Sequence, residues 1–378
     1  MIRADIKEIK KQLTPDRCTI DRICGCYVNH EKKKIFTSTL PFGMVPDEEM
    51  YKYLDVFRHT LSGITGKNLI SLAFSAESEK KGSPHDLLMR LRESALSDEV
   101  LLDTFYDAVI EAYDFGENYY IVLVHAIYDV PTVTSDRQLL TDASENVYEY
   151  ILCAICPVVL SKAALGYDEH KNLIVDRFRD WIVDMPSKGF LFPAFSDRTA
   201  DIHEMLYYTR RADDMQPALI DLLFGAQEVL SAPEQLDGFR NTLQKTLADH
   251  GDFETMQNLH ENLHRMIEEH PEEEGALTID KKGLKKLLNE SGIDSHRLRS
   301  FDKHFEESFH REDYPLLAEN IASEKRFEMK GPDIKVIVNP DRADLVTTRV
   351  IDGKQCLVIQ IDDHVEVNGI SVRTLKKP

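Results

Sequence analysis

The sequence predicts an α/β (α+β) fold: a central mixed sheet flanked by helices, then a charged helical segment and a small C-terminal β-meander. Three observations predict it. First, "NYYIVLVHAIYDV" (118–130) and "VYEYILCAICPVVL" (147–160) are apolar at odd and even positions alike. Strands in the middle of a sheet covered on both sides read this way. Second, several flanking segments carry apolar residues at helical spacing between recognisable caps. Third, composition changes along the chain. Residues 1–233 read as the α/β domain, 234–325 as a polar, strongly charged helical segment, and 326–378 as a β-rich domain.

The elements follow in order. In "MIRADIKEIKKQL", Ile2, Ile6, Ile9 and Leu13 lie on one face with lysines between them, which predicts an amphipathic docking helix rather than a secretory leader. "DRICGCYV", "NHEKK" and "KIFTSTL" read as strand, turn and strand. "PDEEMYKYLDVFRHTLSG" has an acidic first turn, the stripe Met50, Leu54, Phe57 and Leu61, and a closing Gly63, all the marks of one helix. "KNLISLAF" is a strand. Ser83 as N-cap, Pro84 at N1 and Asp86 at N3 then open the helix that carries Leu87, Leu88, Leu91 and Ala95. Another helix spans 98–114. Beyond the two central strands, "GFLFPAFSDR" reads as an aromatic loop and "HEMLYYT" as a strand. "QPALIDLLFGAQEVL" reads as a helix closing the first domain. The tail alternates through "DIKVIVN", "DLVTTRVI" and "KQCLVIQI", with hairpin turns at Asp352-Gly353 and Asn368-Gly369.

A length of 378 residues allows two or three domains. The 66 acidic residues against 46 basic ones give a formal charge of −20, which repels polyphosphate at long range unless cations are gathered locally. Indiscriminate coating of nucleic acid is therefore not expected. The longest apolar run, "ILCAICPVVL", is half what a membrane span needs. Six cysteines in such a chain fit reduced thiols. The expectation is a soluble, cytoplasmic protein with no cofactor and no membrane partner.

"HENLHRMIEEH" (260–270) contains H-E-x-x-H, so His260 and His264 lie one helical turn apart with Glu261 as a candidate general base. Zinc proteases with a third histidine at this distance place a glycine where this chain has Ile267. If the helix continues to Glu269, His270 points about 120° away from His264. The bland reading, a histidine-rich amphipathic helix, is preferred. Cys24, Cys26, Cys153 and Cys156 are four thiols, but 153 and 156 face opposite sides of a strand, so they read as small core side chains. "SGITGKN" has Gly66-Lys67 but lacks the remainder of a phosphate loop. Pro332-Asp333 with Asp352-Gly353-Lys354 mimics a nuclease pattern that a hairpin turn already explains. A basic island remains. "TIDKKGLKKLLNESGIDSHRLRSFDKHF" reads as a helix capped by Asp280, a turn, and a second helix begun by Ser295. It gathers Lys281, Lys282, Lys285, Lys286, Arg297, Arg299 and Lys303, which could oppose phosphates as helix-turn-helix modules do. A weaker patch, "LYYTRR", offers Tyr207, Tyr208, Arg210 and Arg211 for stacking and phosphate pairing, although an ordinary edge strand explains it equally well.

The stretches "GFLFPAFSDRTADIHEMLYYTRR", "ICGCYV", "AICPV" and "VIVNPDRADLVTTRVIDGKQCLVIQIDDHVEVNGI" closely resemble a bacterial family known only as a domain of unknown function (number 4317). More remotely, the order of elements resembles the bacterial nucleoid-associated protein family. It runs from an early hairpin through "DEVLLDTFYDAVIEAYDFGENYYIVLVHAI" and "EYILCAICPVVL" to a terminal hairpin. That second resemblance implies a link with the nucleoid and DNA, at the level of fold alone. The function expected is a non-enzymatic, nucleoid-associated-like protein contacting DNA through the basic helix pair. A homo-oligomer is compatible with this. The alternatives are a zinc-dependent hydrolase at the HENLH helix, with His260 and His264 as ligands, and a protein-binding scaffold.

Overall fold

Two rows of apolar side chains, in register across four strands, explain how the first part of the chain folds. Val124, Leu152, Leu191 and Leu206 line one face of a sheet, and Leu123, Cys153, Phe190 and Tyr207 line the other. Each row is buried under helices, as the two-sided apolar runs require. The computed structural model describes residues 1–133, 139–226, 229–248, 251–271, 275–322, 327–361, 365–367 and 370–372. At 132–133, 139–145, 340, 366–367 and 370–372 only the backbone is described. The chain divides into two units, Met1–Glu234 with Glu272–Gly275, and Gln235–Pro271 with Ala276–Pro378.

The first unit opens with α1 (Arg3–Gln12), the hairpin β1 (Ile20–Val28) and β2 (Lys34–Pro41), α2 (Asp47–Thr60) and β3 (Leu69–Ala73). The helices α3 (Pro84–Glu93) and α4 (Glu99–Ala112) lead to the long strands β4 (Tyr119–Val133) and β5 (Leu139–Leu160). Then come β6 (Leu165–Asp168), β7 (Leu173–Asp176), β8 (Trp181–Val183), β9 (Lys188–Phe192), β10 (Ala194–Ser196), β11 (Thr199–Asp201) and β12 (Glu204–Thr209). The large sheet runs β2-β1-β4-β5-β9-β12-β3, with β8 also paired to β5. The α1 and α2 residues Ile6, Ile9, Leu54 and Phe57 cover the Val124 face, while Leu88, Leu91, Phe105 and Val109 of α3 and α4 cover the Leu123 face. Ser83 caps α3 by accepting from the Asp86 amide, as its position implies.

The fold class is α/β, as the sequence predicts, with one correction. The sheet is not mixed: every strand pairing within it is antiparallel. β3, flanked by helices, does not return beside its sequence neighbours. It lies at the sheet edge against β12, from much later in the chain, so no parallel crossover forms. Three local expectations also change. "GFLFPAFSDR" is not a loop: β9 is wholly buried between β5 and β12. β12 is interior rather than an edge. "QPALIDLLFGAQEVL" is helical for less of its length than expected, over 217–223 with Leu219–Leu223 π-helical, because Gly225 at φ +61 turns the chain and lets Ala226 bridge to Phe74.

The second unit contains α5 (Ala232–Leu247) from Gln235 onward, α6 (Phe253–Glu269), β13 (Thr278–Ile279), α7 (Lys281–Glu290), α8 (Phe301–Phe309), β14 (Leu316–Leu317) and α9 (Ala318–Ile321). The hairpins β15 (Phe327–Lys330) with β16 (Lys335–Val338), β17 (Val346–Ile351) with β18 (Lys354–Ile359), and β19 (Val365–Val367) with β20 (Ile370–Val372) complete it. Asp252 and Asp280 cap α6 and α7 by accepting from the Thr255 and Gly283 amides. The stretch after α7 begins as a 3-10 turn, Arg297–Arg299, so α8 starts at Phe301 rather than at Ser295. Asp352 and Gly353 both have positive φ, the turn that an Asp-Gly hairpin needs. The Asn368-Gly369 turn lies outside the described residues.

Candidate functional site

The histidine motif lies on α6, which continues unbroken to Glu269. The His260 and His264 rings pack against each other, centroids 4.3 Å apart, and His260 also packs on Phe327 at 5.0 Å. Glu261 is exposed and accepts from the Gln257 amide nitrogen at 3.2 Å. No group of three or more His, Cys, Asp or Glu side chains among the described residues is arranged to hold a metal ion.

The thiols are distributed by the pleat. Cys24, Cys26 and Cys153 lie on the α4 face of the sheet and Cys156 on the other, and Leu123 stands in register between Cys24 and Cys153. Burial pushes Cys24 up to about 11 and both Cys26 and Cys156 up to about 12, and drives Cys153 up as well. Near neutral pH these thiols stay protonated, which removes their nucleophilicity. His125 is 1% exposed and sits between Asp21 and Glu149, at 3.0 and 2.9 Å. Burial alone would lower its pKa, but the two carboxylates hold it above the usual histidine value.

The structure brings the basic island together on α7, the 3-10 turn and α8, and sets carboxylates among the cations. Lys285 pairs with Asp302 at 2.6 Å, and Lys281 lies 3.6 Å from Glu306 while donating to the Glu312 carbonyl. Arg297 is half-buried. Lys286 and Lys303 make only long contacts, to Glu290 at 3.7 Å and to Glu307 at 3.8 Å, and their side chains are 78% and 77% exposed. Lys282 and Arg299 are exposed, with no carboxylate in ion-pair range among the described residues. Four of the seven cations therefore stand outward.

The "LYYTRR" patch is not available for stacking. Tyr207 and Tyr208 are 0% and 3% exposed inside the sheet, because β12 has a neighbour on each side. Arg210 pairs with Asp184 at 2.9 Å and Arg211 with Asp213 at 2.7 Å. Gly66 and Lys67 belong to a turn before β3, where the Gly66 amide donates to the Leu69 carbonyl at 2.7 Å.

One feature gives no periodic signal in the sequence. Between β5 and β9 the chain makes an arm, 161–183, whose β6–β7 hairpin pairs Tyr167 with Ile174 and whose β8 pairs Trp181 with Leu160. Asp168 holds the hairpin turn by accepting from the His170 and Lys171 amides. Its apolar side chains face outward: Phe178 is 91% exposed, Leu165 74%, Ile174 63% and Trp181 58%. Exposed apolar residues gathered in one segment are a feature that contact surfaces use. The signal that could have found it is the only tryptophan of the chain, within the charged stretch "DRFRDWIVD".

Residues 1–370 match the family described as Domain of unknown function (DUF4317). The chain belongs to this family. The match takes in both units and leaves out only the last residues. No curated protein matches the chain. No described helix is long and apolar enough to cross a membrane.

Proposed function

We propose that this protein acts by binding rather than by catalysis, and that the 161–183 arm joins it to a second copy of itself. The observation that carries this reading is the arm's exposed apolar surface. Burying a leucine, isoleucine or phenylalanine contributes about 1.5–3 kcal/mol, so several together can offset the entropy lost on association. Charge permits this partner at the arm. A chain of charge −20 repels its own copy, whereas the arm carries four basic and four acidic residues and is locally neutral. It is a surface on which two such molecules can meet, in the self-complementary manner of a two-fold dimer. Trp181, being the only tryptophan, reports on the contact directly. Its emission is expected to shift to the blue as protein concentration rises through the micromolar range, in step with a doubling of mass by light scattering. Phe178→Asp with Trp181→Tyr is expected to remain monomeric. A monomer with concentration-independent emission overturns the reading.

A second reading, nucleoid-associated-like DNA contact, is favoured by the four outward cations Lys282, Lys286, Arg299 and Lys303. Since each phosphate neutralised contributes about −0.9 to the slope of log K against log salt, four contacts predict about −3.6 and all seven about −6.3. Gel-shift titrations across salt are expected to give the shallower value. Changing the four to glutamate is expected to abolish retention, and retention unaffected by that change removes this reading.

A further inference from the structure

We propose that the free edge of β2, with the groove between it and α4, is a binding site for an extended polypeptide segment with cationic side chains on one face and apolar ones on the other. β2 is the first strand of the sheet and, among the described residues, pairs only with β1, so its second row of backbone donors and acceptors faces no other described strand and can receive a further one. The groove beside it, about 610 Å³, is lined by Thr37 and Thr39 of β2 and by Glu99, Asp103, Tyr106 and Asp107 of α4. Spacing explains the lining. Glu99, Asp103 and Asp107 recur every four residues and so form one acidic stripe along α4. Thr37 and Thr39 pair with Cys26 and Cys24, which places them on the α4 side of the sheet.

The occupant's chemistry follows from what the groove already holds. Lys34 reaches across it to Asp103 and to Asp107, the latter at 2.9 Å, so the chain's own lysine partly neutralises the stripe. Both carboxylates remain more than half exposed. The buried hydroxyl of Tyr106, in the groove wall, has no hydrogen-bond partner among the described residues. On the other side of β2, Phe36 and Leu40 are 52% and 49% exposed. A strand added at this edge turns alternate side chains to the two faces. One set meets the carboxylates of α4 and the other meets Phe36 and Leu40. Cations therefore suit the first set and apolar side chains the second.

The test uses the full chain and a fluorescent peptide of alternating lysine and valine, matched to the eight residues of β2. Fluorescence anisotropy is expected to show saturable binding. The same peptide N-methylated at every residue keeps its charge but cannot donate to a strand, and it is expected to lose binding. Asp103→Asn with Asp107→Asn is expected to weaken binding about tenfold. Lys34→Gln is expected to tighten it by up to about tenfold, because the competing internal cation is gone. Misfolding cannot mimic a gain, so this variant keeps the proposal open to refutation. Equal binding of the methylated and unmethylated peptides would mean simple charge adhesion and overturns the proposal. So does a Lys34→Gln protein that binds no more tightly than the unmodified chain.

Discussion

Asp214→Asn is expected to destabilise the first unit by about 2–3 kcal/mol at neutral pH, less than the roughly 3–5 kcal/mol of a fully buried pair because Asp214 itself is 40% exposed and screened by water. The Lys188 ammonium is 1% exposed and has two partners, Asp214 at 2.8 Å and the Thr209 hydroxyl at 3.1 Å. Burial already lowers the pKa of Lys188, and Asp214 opposes that shift. Without the carboxylate the folded-state pKa falls further below its unfolded value. The unfolded chain then binds more protons, and stability rises with pH through the window between the two values. The variant should thus regain stability relative to the parent as pH is raised above neutrality. Lys188→Met removes the buried charge and leaves Asp214, which is 40% exposed, in contact with water, so it should cost much less. Urea midpoints followed by near-ultraviolet circular dichroism rank the three proteins. A difference of under about 0.5 kcal/mol between Asp214→Asn and the parent, the range of an ordinary surface change, would refute this account of Lys188.

Gly189→Ala is expected to cost about 2–3 kcal/mol by overpacking. A Cβ there would lie 2.5 Å from the Cys153 carbonyl oxygen and 2.5 Å from the Thr60 methyl carbon. The first is backbone of the paired strand β5, which cannot retreat without opening the sheet. Gly43, with nothing within 4 Å of an added Cβ, is the control and should tolerate alanine. The urea midpoint should fall while the slope of the transition stays the same, since the area exposed on unfolding is unchanged. A Gly189→Ala protein as stable as the Gly43→Ala control would mean that β9 is not held as tightly as its burial implies.

Gly189 also marks where the sequence misleads. In "GFLFPAF" the glycine and proline look like loop punctuation, yet the glycine is there so that two central strands can approach closely. The signal was present and had two meanings. By contrast, β4 and β5 are legible because both of their faces are apolar, and the N-caps Ser83 and Asp280 because a short polar side chain before a periodic run has one good use. Strand partners are not legible in this way. The placing of β3 beside β12 depends on residues far apart in the chain, so the antiparallel sheet and the burial of Tyr207 and Tyr208 could not be read off. The arm was missed because strands with no buried face leave no periodicity.

The candidate cations show a related effect. Read in one dimension, Lys281 and Lys285 join a basic island. In three dimensions α8 brings Asp302 and Glu306 against them, and the island loses part of its charge. The sequence names α7 and its cap correctly and starts α8 too early, at Ser295, but is silent on which face each presents to the other.

β5 carries two tasks on one backbone. Its middle joins β9 and β4 at the heart of the sheet, and its last residues, Val158 to Leu160, hold β8 of the arm. The arm is thus mounted on a strand that is itself hydrogen-bonded on both sides, so a partner that engages the tip is tied through one continuous backbone to the centre of the sheet.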